Sequence, residues 1–97
     1  MNLNEIVDQI LDIAISIGYN NISYFHPLLA AKKRRCPEDL LTAIAAPLKN
    51  GITNGTPPTK KELTKALGQL NDIEQTYHIK ELQKPIADLK AYLNSLS

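Results

Sequence analysis

Tryptophan is absent from this chain of 97 residues, phenylalanine occurs once, as Phe25, and cysteine and methionine occur once each. With so few aromatic rings to bury, the core has to be built from Leu, Ile, Val and Ala, residues that favour helices packed against one another. The single Cys36 excludes an intramolecular disulfide and a zinc site of paired cysteines, and it fits a reducing, cytoplasmic compartment. A net charge is lacking too. Eleven Lys and Arg stand against ten Asp and Glu, so no global field draws in nucleic acid or anionic lipid.

Long apolar runs are also missing, since none reaches the roughly 18 residues a spanning helix needs. The first twelve residues carry Glu5, Asp8 and Asp12 but no Lys or Arg, the wrong sign for a secretory or transit leader. The four glycines, Gly18, Gly51, Gly55 and Gly68, are scattered and form no phosphate loop. Two histidines, His26 and His78, stand far apart without a second ligand at helical spacing, so neither a metal site nor a bound cofactor is expected.

Apolar periodicity is what the chain does have. Leu3, Ile6, Val7, Ile10, Leu11, Ala14 and Ile17 recur at intervals of three and four, which predicts an amphipathic helix over 3–17. Asn2 and Glu5 suit a reciprocal cap at its start, and Gly18 suits a left-handed stop. A short helix over 27–35 is expected after Pro27, ending in Lys32, Lys33, Arg34 and Arg35. A third, over 37–49, opens on Pro37 with Glu38 and Asp39 in the first turn, where the helix dipole favours anions. Pro47 falls inside it and is expected to kink or end it.

Residues 50–59, with two Asn-Gly pairs and Pro57-Pro58, read as a flexible linker. Thr59 followed by Glu62 is a capping box opening a helix over 60–77. The apolar stripe resumes through Leu82, Ile86, Leu89 and Leu93, a last helix over 80–95, with Pro85 marking a kink or a fresh start. No repeat or second unit is evident. Residues 1–97 are therefore expected to form one all-α domain, a small four- to five-helix bundle with mostly antiparallel neighbours.

Function is less legible, and no segment carries a motif that names a family. The chain reads as a non-enzymatic binding or regulatory module working through protein–protein contact, with a different partner or with a second copy. The third helix is apolar nearly all round and the last stripe runs on to Leu93, which together exceed what one small core can hide. Leu41, Ile44, Leu48, Leu89, Tyr92 and Leu93 are the residues expected to dock. The alternative is a nucleic-acid-associated regulator using Lys32, Lys33, Arg34 and Arg35, extended by Lys60, Lys61 and Lys65. Against it stand the balanced charge, the lack of interleaved aromatics and a linker too long for a helix-turn-helix. The plainer role for the 32–35 cluster is to complement the carbonyl end of a helix.

Two chemical readings complete the set. Cys36 beside Arg34 and Arg35 at a helix start is a setting that favours a thiolate, hence a redox-sensing role, although Glu38 and Asp39 oppose it. A small enzyme would need a nucleophile, a base and an orienting group on one face, and the sequence supplies no such spacing. The acidic stripe Glu5, Asp8 and Asp12 is explained most simply as solvated helix surface.

Overall fold

The structure, a computed structural model, describes residues 2–19 and 36–96. The helix expected over 27–35 lies outside these residues, and so do Phe25, His26 and the cluster Lys32, Lys33, Arg34 and Arg35. Among the described residues there are four α-helices and no strand, so the chain is an all-α bundle. They are α1 (Leu3–Tyr19), α2 (Pro37–Thr53), α3 (Lys60–Tyr77) and α4 (Gln83–Ser95), with one turn of 3₁₀ helix, Lys80–Leu82, leading into α4.

In α1 the apolar stripe becomes the floor of the core, with Ile6, Val7 and Ile10 almost wholly buried. At its start the Glu5 N–H donates to Asn2 Oδ1 at 2.9 Å, satisfying one of the orphan donors of the first turn. Gly18 does not stop this helix, which continues to Tyr19. The left-handed backbone a glycine stop requires is absent there, because among the described glycines only Gly55 has a positive φ.

α2 runs straight through Pro47 to Thr53, past the expected end at residue 49. Pro47 withholds one donor from the carbonyl of Ala43, but both residues are on the exposed side, so water can satisfy the freed oxygen. The helix ends in a Schellman motif instead. The Thr56 N–H donates to Gly51 O at 2.8 Å and the Gly55 N–H to Ile52 O at 3.4 Å, with Gly55 at φ +79° in the left-handed position. The connection between α2 and α3 is thus shorter than the sequence suggests, because residues 50–53 are helical. It is also tight, for a Cβ built on Gly51 would lie 2.6 Å from Thr56 O.

α3 starts at a complete capping box. Glu62 N–H donates to Thr59 Oγ1 at 3.2 Å, and the Thr59 N–H donates to Glu62 Oε1 at 2.9 Å. The hydrogen bonds that the Glu62 carboxylate accepts from Thr59 hold it below the usual carboxylate range, the backbone N–H contributing most and the hydroxyl next. At the far end His78 occupies the left-handed region, φ 56° and ψ 46°, and turns the chain. Ile79 and Leu82 then drop wholly into the core. Pro85 falls in the first turn of α4, where a missing N–H costs nothing, so this proline marks a fresh start and not a kink.

Two polar ties sit on this frame. Lys49 Nζ reaches both Asp8 Oδ1 at 2.8 Å and Asn4 Oδ1 at 2.7 Å, fastening the end of α2 to the start of α1. Asp88 of α4 accepts from Lys84 Nζ at 3.0 Å and from Gln9 Nε2 of α1 at 3.3 Å. The interior they surround is wholly apolar, with no buried polar or charged residue among those described.

Candidate functional site

The deepest stripe of α2, Leu41, Ala45 and Leu48, points into the core. That orientation leaves Leu40, Ala43 and Ile44 on the flank, where i, i+3 and i+4 spacing lines them up one above another. On α3 the same logic buries Leu70 and Ile73 and sets Gln69, Asp72 and Thr76 beside them. Between the two flanks lies an open groove of about 290 Å³ lined by Leu40, Ala43, Ile44, Gln69, Asp72 and Ile73. It continues past Thr76 and Tyr77 into a second hollow of about 310 Å³ that shares Leu40, Asp72 and Ile73. The floor is aliphatic and partly exposed, since Leu40, Ile44 and Tyr77 are only half-buried against the core. Both ion pairs of the described residues, Lys49 with Asp8 and Lys84 with Asp88, lie elsewhere, so the carboxylate of Asp72 has no salt-bridge partner among the described residues.

The residues expected to dock a partner divide sharply. Leu41, Leu48, Leu89 and Leu93 are 0%, 7%, 1% and 7% exposed, so their side chains are spent in the chain's own core. A single small bundle can bury these stripes after all, because α1 and α3 each pack against both α2 and α4. Only Ile44 and Tyr92 keep exposed area, and of these only Ile44 lines the groove. Apolar spacing marks Leu40, Leu41, Ile44, Ala45 and Leu48 as the buried stripe of this helix, and the structure corrects that for Leu40 and Ile44, which stay half-buried at the groove; nothing in the sequence singles out Ala43, Gln69 or Asp72.

Of the basic residues, Lys60, Lys61 and Lys65 are exposed on the first turns of α3. The Cys36 thiol is pushed up from its ordinary value, chiefly by burial and then by the nearby Glu38 and Asp39 carboxylates. The described surroundings therefore favour the thiol and oppose the thiolate that a redox sensor needs. His78 shares a hollow of about 280 Å³ with Glu74, Lys80 and Gln83, a set containing no nucleophile for an imidazole to activate.

Among the described residues no three His, Cys, Asp or Glu side chains gather as metal ligands, and no helix is long and apolar enough to cross a membrane. The fold and groove define a small helical bundle with an open seam between α2 and α3. No family model, no curated protein and no solved structure matches the chain.

Proposed function

We propose that this chain is a non-enzymatic binding module that docks an amphipathic segment of a protein partner in the groove between α2 and α3. One observation carries the reading: Leu40 and Ile44 stay half-buried above the enclosed Ile73 in an open groove along two helices, in the geometry that receives the apolar face of a helix. The rim of the groove sets the kind of partner. Asp72 is the one charged residue of the groove lining and has no salt-bridge partner among the described residues, so a segment with Lys or Arg flanking its apolar face is favoured over an acidic one. A lone Cys36 fits a reducing, cytoplasmic setting for this encounter.

Titrating the full-length labelled chain with a synthetic Leu/Lys helical peptide, followed by NMR, tests the reading. Shift changes are expected at Leu40, Ala43, Ile44, Gln69, Asp72 and Ile73, and Ile44→Asp should abolish them. Changes scattered over the acidic face of α1, or none at all, would refute it. Contacts in the free chain between Phe25, Leu28 or Leu29 and Ile44 would refute it as well, by showing that the chain fills its own groove. Sedimentation at rising concentration checks self-association, for which a second copy would be the occupant.

A nucleic-acid role is favoured by one feature, three exposed lysines at the positive end of the α3 dipole, where intrinsic electrostatics disfavours cations. Retarded migration of a duplex at low salt, lost on Lys60→Glu with Lys61→Glu, would support it.

A further inference from the structure

The chain contains the dipeptide Asn-Gly twice, four residues apart, and the fold treats the two copies differently. Asn-Gly is the dipeptide most open to intramolecular attack on a side-chain amide, since glycine leaves the following backbone nitrogen unshielded. Asn50-Gly51 lies inside α2, whose last turns are held by the Asn54 N–H donating to Asn50 O at 2.9 Å and the Thr56 N–H donating to Gly51 O at 2.8 Å. Bringing the Gly51 nitrogen onto the Asn50 amide requires that end of the helix to unwind, beside the buried Leu48. Asn54-Gly55 lies just beyond the helix. Asn54 is at φ −88° and ψ 3°, both residues are exposed, and the Gly55 N–H is held by a single bond of 3.4 Å, the longest backbone–backbone loop or cap bond among the described residues.

We propose that Asn54-Gly55 is the site at which this chain deamidates spontaneously, and that α2 keeps the identical dipeptide at Asn50-Gly51 inert. The Gly55 backbone nitrogen gives its proton to hydroxide and bonds to Asn54 Cγ, and the side-chain nitrogen leaves as ammonia after taking a proton from water. This closes a succinimide. Water then adds to either ring carbonyl. Breaking the bond between the ring nitrogen and Cγ leaves Asp at 54, whereas breaking the bond to the main-chain carbonyl leaves isoaspartate, with the chain running through the side chain. The net exchange is one water consumed and one ammonia released, with no oxidant, reductant or enzyme.

Geometry also sets the consequence. Residue 54 caps the carbonyl end of α2, so a new carboxylate there meets the negative pole of the helix dipole. In isoaspartate the extra methylene must be accommodated in a turn with no slack, since Gly51 already lies against Thr56 O. Both products loosen the α2–α3 hairpin at its closed end. None of this chemistry depends on what docks between the helices.

Ageing the full-length chain at neutral and mildly alkaline pH, with peptide mapping that separates Asp from isoaspartate, tests the assignment. The native chain should convert at Asn54 faster as hydroxide rises and stay intact at Asn50, whereas in urea both positions should convert. Asn54→Gln should suppress the ammonia release of the native chain, and Asn50→Gln should leave it unchanged. Conversion at Asn50 as fast as at Asn54 in the native chain would overturn the assignment. So would an intact Asn54 under conditions that convert it in urea. A converted chain that melts with its parent would refute the loosening.

Discussion

The seam between α1 and α2 and the seam between α2 and α3 share one helix but are built differently. α1 makes the most extensive contact of the described molecule with α2, and it does so with branched residues, Ile6, Val7 and Ile10, and with the small Ala14, facing a helix whose buried stripe includes Ala45. Small residues let backbones approach, branched ones fill the remaining space, and Lys49 ties the far end to Asp8. The α2–α3 seam is pinned at one end only, by the Schellman turn and the Gly51 contact with Thr56, and it opens towards Leu40 and Tyr77. One seam is a wholly aliphatic core, and the other a groove closed at one end, whose aliphatic floor is edged by Gln69, Asp72 and Thr76.

The sharpest way to break that comparison is truncation on either side. Ile10→Ala should cost about 2–5 kcal/mol by chemical denaturation, because a wholly buried side chain leaves a cavity. Ile44→Ala, on the groove wall, should cost less than about 1 kcal/mol, since the site already meets water. Equal losses would mean that the groove is closed in solution. Gly51→Ala tests the pinned end: the new Cβ meets a backbone oxygen, so a loss of roughly 1–3 kcal/mol is expected in the same measurement.

His78→Gly should act in the opposite direction and stabilise by up to about 1 kcal/mol in thermal melts, because glycine takes the left-handed backbone without strain. The smallest effect concerns acid. Asp88 is held below the usual carboxylate range, first by the hydrogen bond from Lys84 and then by that from Gln9. Glu62 is held low by Thr59. A carboxyl with a depressed folded value contributes stability above its unfolded value and loses it as pH falls through the folded one. The chain should therefore weaken with acid through and below the carboxylate range, and Lys84→Gln should flatten that dependence while leaving the Glu62 part intact. Glu62 and Lys84 are exposed and Asp88 is only half-buried, so the change will be small.

Local signals carried far in this sequence. The capping box at Thr59 and Glu62 and the stripe of α1 needed only neighbouring residues, and both are present in the structure. Gly18 and Gly55 show where such signals run out. Gly18 satisfies a helix stop locally, yet α1 runs through it, while Gly55, followed by Thr56, Pro57 and Pro58, completes a Schellman turn. Pro47 was legible as a breaker, but whether the helix tolerates it depends on which side faces water. The groove was the least legible feature, because Leu41 and Leu40 look alike in sequence and are separated only by how α1 and α3 close over α2.

By itself the sequence determined that this protein is helical, aliphatic inside and capped at particular residues, because periodicity and capping are settled within one or two turns of chain. Tertiary structure alone decided which apolar residues are consumed and which stay open. Leu41, Leu48, Leu89 and Leu93 are enclosed while Leu40 and Ile44 are left along a seam. Burial is a property of what packs above a side chain, and the covering helices come from far along the sequence.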